Sequence, residues 1–421
     1  MQTIQTLAAH ILDTVLSGKN LTDTLATAWR QHPALAPAER AAVMDITHGA
    51  LRHYGWLRGA LDKLLSRPLT DSHIDRLLIV ALYQLEHTQA APYAIVDHAV
   101  RVASAHEGGR LKGLTNAVLR NFQRRHDELA AALRREPTAF WNHPDWWVGA
   151  VQQAYPKDWK AILTASNQHP PMTVRVNRRR LSVADWLTRL QEAGLEGVVL
   201  EGVVLEGDAV RLVKPVPVDK LPGFADGDVS VQDAGAQLAA DWLEVADGMR
   251  VLDACAAPGG KTCHLLERAQ LDLTAVDNDA HRLQRVQSNL TRLGLSARCL
   301  TGDASRPKAW WDGQMFDRVL ADVPCSASGV ARRHPDIKWT RRPTDIPSLG
   351  RQQGALADAL WALVAPGGKM LYATCSIFPT ENRRQIDAFL TRHVNAELER
   401  DIQLLPDENH DGFYYALIRK T

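Results

Sequence analysis

From Met249 onward the chain alternates between short apolar runs and amphipathic stretches, and this rhythm restricts its fold more than any other feature of the sequence. Arg250 to Ala254, Asp272 to Val276, Ala297 to Thr301, Arg318 to Asp322 and Lys369 to Thr374 each have the length and apolar content of a buried strand. Between several of them lie helical patterns, the clearest carrying Leu283, Val286, Leu290 and Leu293. Strands and helices in alternation predict an α/β domain with a doubly wound parallel sheet. Such sheets bind ligands outside the carboxyl ends of their strands, and the unusual residues of this chain lie there.

The first strand runs into Asp253-Ala-Cys-Ala-Ala-Pro-Gly-Gly-Lys-Thr262. Cys255, Ala256, Ala257, Pro258, Gly259, Gly260 and Lys261 form a turn whose glycines let backbone amides approach a ligand where the next helix begins. The second strand ends at Asp277, 24 residues after Asp253, a spacing that places a carboxylate to accept hydrogen bonds from ribose hydroxyls. A nucleoside-containing cofactor is implied. The dinucleotide signature G-x-G-x-x-G is absent, and a phosphate-binding P-loop requires glycine where Cys255 stands. S-adenosylmethionine, an adenosine cofactor without a polyphosphate tail, fits best. Asp303, after the third strand, is placed to reach the adenine amino group; a short polar turn is the alternative. The fourth strand ends in Asp322-Val-Pro-Cys-Ser-Ala-Ser-Gly329 and the fifth in Ala373-Thr-Cys-Ser376, so Cys325 and Cys375 end neighbouring strands beside Asp322 and face the cofactor crevice.

The whole chain has 421 residues, two to three domains at roughly 150 residues each. Residues 1–138 read as all-helical, 139–228 as a small α/β linker domain, and 229–421 as the α/β domain. With 45% apolar and 23% charged residues the composition is that of a globular protein and excludes disorder or a collagen-like repeat. Met1 to Asn20 lacks a basic leader and has the spacing of an amphipathic helix. Apolar runs such as Leu77 to Leu82 are far shorter than the roughly 20 residues of a membrane span. A cytoplasmic protein with no membrane partner is expected, a monomer with its five cysteines as free thiols. The cysteines and histidines lack zinc-site spacing, so no metal is expected. The sequence LEGVV at Leu195 to Val199 recurs at Leu200 to Val204, which reads as a local duplication in a loop or hairpin.

The strings DACAAPGGKT, DVPCSASG and YATCSIFPTEN resemble the motifs of RNA cytosine-C5 methyltransferases, and VQDAGAQLAA (Val231 to Ala240) and DGFYYA (Asp411 to Ala416) resemble their flanking motifs. Together they cover about Val231 to Lys420. Val323 and Ala327 stand where the family most often has Ala and Gly, and Gly235-Ala236 where it has Ala-Ser. The resemblance implies Cys375 as the nucleophile and Cys325 as the thiol that assists release. The chemistry explains the need for both. Cytosine C5 cannot attack a methyl sulfonium unaided, but addition of a thiolate at C6 makes C5 enamine-like, and the C5 proton and the thiol must afterwards leave. Asp322 would stabilise the base at N3, with Lys261 near both.

Between the cysteine motifs lies Ala331-Arg-Arg-His-Pro-Asp-Ile-Lys-Trp-Thr-Arg-Arg342, five basic residues against Asp336 alone. Arg332, Arg333, Lys338 and the interleaved Trp339 are candidates for gripping phosphates and stacking on a base. Arg175 and Arg178 in the run Arg175 to Arg180 form a second candidate, and a solvated surface is the alternative for both. A third group, Arg120, Arg124, Arg125, Arg134 and Arg135, closes the helical region. RRHPDIKW, Ala91-Pro-Tyr-Ala-Ile-Val-Asp-His98 and Gly113-Leu-Thr-Asn-Ala-Val-Leu-Arg120 resemble the ribosomal small-subunit methyltransferase B family, which joins a NusB-like helical domain to the catalytic domain. That resemblance implies an RNA-binding N-terminal module and, as substrate, the cytosine at position 967 of 16S rRNA. A tRNA cytosine-C5 methyltransferase and a non-catalytic rRNA-binding assembly factor are the rival readings.

Overall fold

A computed structural model describes residues 2–202 and 205–421, and the chain divides into two compact units. One contains Met1–Gln168 together with Ala331–Pro343; the other contains His169–Val330 and Thr344–Thr421.

The first unit is helical. Its centre is the helix Ser72–His87, in which every residue from Leu77 to Gln84 is buried. A helix apolar on all sides must be surrounded, and Gln2–Leu16, Pro37–Arg52, Tyr54–Leu64, Pro92–Ala105 and Lys112–Arg124 pack around it. Asp71 starts it by accepting a hydrogen bond from the Ile74 amide at 3.0 Å. The segment Ala331–Pro343, distant in sequence, is built into this unit. Lys338 is fully buried and its Nζ donates to Arg52 O (2.8 Å), Asn142 O (2.9 Å) and Asn167 Oδ1 (2.7 Å). Trp339 Nε1 donates to Leu51 O at 2.7 Å, its ring packs edge-on against Tyr54, and Asp336 Oδ2 accepts from the Leu21 amide.

The second unit contains two sheets. In the smaller, β1 (Thr173–Val176), β2 (Gly197–Gly202), β3 (Leu205–Leu212) and β4 (Val229–Val231) are antiparallel in the order β2-β3-β1-β4. The described part of the LEGVV duplication falls mostly on β2, and the β2–β3 register shifts between Val199 and Glu201. Val203 and Val204, the end of its second copy, lie outside the described residues. Val174 and Val176 point into a core with Trp186 and Val210, and Arg175 between them points the other way, as period-two alternation requires.

The larger sheet has seven strands in the order β10-β11-β9-β8-β5-β6-β7, from β5 (Arg250–Asp253), β6 (Asp272–Asp277), β7 (Arg298–Thr301), β8 (Phe316–Asp322), β9 (Val364–Thr374), β10 (Ala396–Leu404) and β11 (Phe413–Lys420). The five expected strands are present and parallel. β10 and β11, which the alternation of the sequence does not disclose, extend the sheet antiparallel. Successive residues go to opposite faces: Val251, Leu320 and Leu371 meet the helices Ala234–Trp242, Gly260–Arg268 and Ala280–Leu293, while Leu252, Val319 and Met370 meet Asp345–Trp361 and Arg383–Arg392. The fold is a doubly wound, Rossmann-like sheet covered on both sides. Its strand order reverses between β5 and β8, which opens a crevice at their carboxyl ends.

Candidate active site

The crevice is a cleft of about 450 Å³ whose walls include Cys255, Asp277, Asp303, Asp322, Cys325 and Cys375. Five loops that follow five different strands therefore converge on one space.

The turn after β5 is shaped by Gly259. Its φ of +99° places it in the left-handed region, and an added Cβ would lie 3.0 Å from Val286 Cα, so glycine alone fits. Ala257 N donates to Asp277 Oδ2 at 3.1 Å, and the Asp279 amide donates to Oδ1 at 3.0 Å. Asp277 is thus fixed by backbone on its own loop and on the β5 turn. Asp303 accepts from the Ser305 amide and hydroxyl, which hold its carboxyl below the usual range. Burial raises the Cys255 thiol and leaves it inert.

Lys261 Nζ lies 2.5 Å from Asp322 Oδ2. Burial works against the Lys261 charge, but Asp322 outweighs it and the pKa is raised, so Lys261 keeps its charge. Beside it the Cys325 and Cys375 sulfurs are 3.3 Å apart. The hydrogen bond with Cys375, followed by burial, raises the Cys325 thiol well above its ordinary range, which keeps it protonated. Ala327, where glycine is commonest in the resembling motif, adopts φ +61°, the left-handed backbone that explains the usual glycine. Gly329 and Gly412 bring two loops together behind Cys375: Gly329 N donates to Cys375 O at 2.8 Å, and a Cβ on Gly329 would lie 2.1 Å from Gly412 O.

The expected RNA-contacting residues are placed differently. Arg175 is 1% exposed and directs a bidentate pair at Glu267 (2.6 and 2.9 Å), with a further bond to Gly260 O at 3.1 Å, so it braces the helix of the cofactor turn. Lys338 and Trp339 are committed to the helical unit as described, and Arg332 is buried with its carbonyl accepting from Arg52. For Arg175, Arg332 and Lys338 a direct phosphate contact is therefore corrected: burial removes these cations from solvent. Arg178 is exposed and Arg333 half-buried. Sequence reading missed Asn278 and Arg282, which also line the cleft, and Glu381, buried behind both cysteines. The serines that follow each cysteine, Ser326 and Ser376, were the available signal for that buried polar site. In the helical unit Asp71, His106 and Glu107 place metal-ligating atoms within 4.8 Å of one another, but Asp71 is already engaged by the Ile74 amide and by His106.

Comparison with known proteins follows the same division. The sequence profile described as 16S rRNA methyltransferase RsmB/F matches residues 240–419. Ribosomal RNA small subunit methyltransferase B of Vibrio vulnificus is 42% identical over 99% of both chains. The chain belongs to the RsmB/F family of 16S rRNA methyltransferases. Proteins with the same description from Klebsiella pneumoniae and Escherichia coli are each 43% identical over 99% of this chain. The family's two other parts are present as well: the NusB family profile matches residues 2–124, and a ferredoxin-like domain profile of RsmF/B-like methyltransferases matches 143–219. Among solved structures, that of PH0851 shares the fold, with TM-score 0.79 over 99% of both chains at 24% identity. A methyltransferase homologue from Pyrococcus horikoshii matches 68% of this chain and 97% of its own at 26% identity and TM-score 0.59. No helix among the described residues is long and apolar enough to cross a membrane.

Proposed function

We propose that this RsmB/F family member transfers the methyl group of S-adenosylmethionine to C5 of a cytosine of 16S rRNA, at position 967, through a covalent adduct between Cys375 and C6. The observation that carries this reading is the pair of thiols 3.3 Å apart, next to the Lys261–Asp322 ion pair, in one cleft. One thiol alone would suit attack; a second, held protonated, supplies the acid/base group that release requires. The relatives named ribosomal RNA small subunit methyltransferase B support the choice of substrate.

The cleft residues suit the cofactor chemically. Asp277 and Asp303 offer carboxylate oxygens to ribose and adenine donors, and the Ala256 to Gly260 turn offers a close backbone approach. S-adenosylmethionine supplies an electrophilic methyl group. Cys375 adds to C6 as its thiol proton passes to N3, and this addition raises the nucleophilicity of C5. Asp322, held by Lys261, stabilises the base at N3. Cys325 then gives its thiol proton to the departing Cys375 sulfur and takes up the C5 proton in its place, which breaks the C6–S bond and restores both thiols. A target in an RNA loop is the easiest to present, because the base must leave its stack.

Mapping the methylated nucleotide after treating separate 16S rRNA and tRNA pools with pure protein tests the assignment; methylation confined to tRNA would establish the rival substrate. Cys375→Ala is expected to bring methyl transfer below detection while leaving cofactor affinity within about twofold, since it removes the nucleophile and not the binding cleft. Cys325→Ala is expected to accumulate an RNA adduct seen as a denaturation-resistant gel shift. Turnover retained by Cys375→Ala would remove the nucleophile from its role.

A further inference from the structure

We propose that Glu381 is the positioning residue that holds Cys325 and Cys375 in catalytic register. The inference rests on the covalent reading above and concerns what keeps its two sulfurs together.

Glu381 is fully buried in the loop that follows β9. Oε1 accepts from the Ser326 amide (2.8 Å) and Gln353 Nε2 (3.0 Å); Oε2 accepts from Ser326 Oγ (2.6 Å) and Ser376 Oγ (2.5 Å). Ser326 and Ser376 each directly follow one of the two cysteines. The carboxylate therefore ties together two chain segments 50 residues apart at the position next to each sulfur. The clamp extends to the other side of Cys325, where Gln353 Nε2 also donates to Pro324 O at 2.9 Å. On the Cys375 side the neighbouring Asn382 takes over: its Oδ1 accepts from Thr374 Oγ1 (2.6 Å) and its Nδ2 donates to Ser376 O (2.8 Å). Residues before and after both cysteines are thus fixed by Glu381, Asn382 and Gln353.

A tie of this kind does not by itself call for a charge. All four groups around Glu381 donate, which complements an ionised carboxylate, and among the described residues no cation pairs with it. Burying a charge without a counter-ion is costly, so the negative charge needs a use. Cys325 supplies one. After Cys375 and burial, the Glu381 charge is a further influence that raises the Cys325 thiol. It favours Cys325 as the proton-bearing partner and leaves the attacking role to Cys375.

The test uses the full chain. Glu381→Gln keeps the size of the side chain but removes the charge and turns one acceptor into a donor facing donors. Its kcat is expected to fall about 10- to 100-fold, the scale of a misplaced reacting group, with KM for RNA and for S-adenosylmethionine within about twofold. In a Cys375→Ser background, where methyl transfer does not enter, the midpoint of Cys325 alkylation by iodoacetamide against pH, read by peptide mass spectrometry, is expected to move downward when Glu381→Gln is added. A merely structural role would lower thermal stability without moving that midpoint. Either an unchanged kcat or an unchanged midpoint overturns the proposal. If Glu381→Gln does not fold, Ser376→Ala, which removes one of the four bonds, is expected to lower kcat less but in the same direction, and wild-type kcat in that variant overturns it. A wild-type protein with no methyl transfer would instead remove the covalent reading, and the alkylation midpoint would still report on Glu381.

Discussion

Asp253 ends β5 with one carboxylate oxygen, Oδ2, accepting from Thr262 Oγ1 at 2.6 Å and the other, Oδ1, buried without a hydrogen-bond partner among the described residues. Burial pushes its pKa up to about 7, against the Thr262 bond and with help from the Asp322 charge. In the unfolded chain the same group ionises near 3.9. Between about pH 4 and 7 the folded state therefore binds more protons than the unfolded state, and stability from this residue falls as pH rises through that window. Asp253→Asn, which cannot ionise, is expected to raise the melting temperature relative to the parent at pH 8 and to change it little at pH 4. An equal change at both pH values would show that the carboxyl is not buried as a charge. The sequence shows Asp253 only as the end of a strand. Its missing partner is a property of how Thr262 and the cleft walls close around it.

At the scale of elements, the strands, the helices between them and the glycine turn were legible because each is written locally, as short apolar runs, as period-3.6 patterning and as a backbone constraint at Gly259. The segment Ala331–Pro343 was not. Five basic residues and a tryptophan in a row carry the same signal whether they face RNA or are folded away, and only long-range packing decides. Here Lys338 meets three carbonyl-type acceptors, one for each proton of an ammonium, while burial and then the Arg52 charge pull its pKa well below the lysine range. Geometry thus opposes desolvation, and removal of the side chain leaves three acceptors without a donor. Lys338→Met is expected to destabilise the helical unit by about 3 kcal/mol, given roughly 1–3 kcal/mol for a buried group left unpaired, and to leave the salt dependence of RNA binding unchanged. Denaturant melts of the full chain and binding measured at several salt concentrations check both parts. The antiparallel pair β10 and β11 was hidden for a different reason. β10 carries charged residues in place of an apolar run, and β11 follows it with no helix between them, outside the rhythm that marks the other strands.

For the whole molecule, 49 basic and 48 acidic residues leave a net charge of +1, so attraction to an anionic RNA must come from cations that are both exposed and uncommitted. Burial sorts the candidates. Arg175, Arg332 and Lys338 are used internally, whereas Arg120, Arg134 and Arg135 of the helical unit are exposed and make no side-chain hydrogen bond or ion pair with the described residues. Each phosphate contact releases counter-ions, which gives a slope of roughly 0.7 in log K against log salt for a single strand. If these three arginines touch the RNA backbone, R120A/R134A/R135A is expected to weaken binding and to reduce that slope by about 2. Arg175→Met is expected to do the reverse. Without its bonds to Glu267 and Gly260 O the glycine turn loosens, so cofactor affinity falls while the salt slope of RNA binding stays at the parent value. Measuring both slopes on one RNA separates a cation that meets phosphate from one that holds the fold. A lowered slope for Arg175→Met, or an unaltered slope for the triple variant, would show that burial had sorted them wrongly.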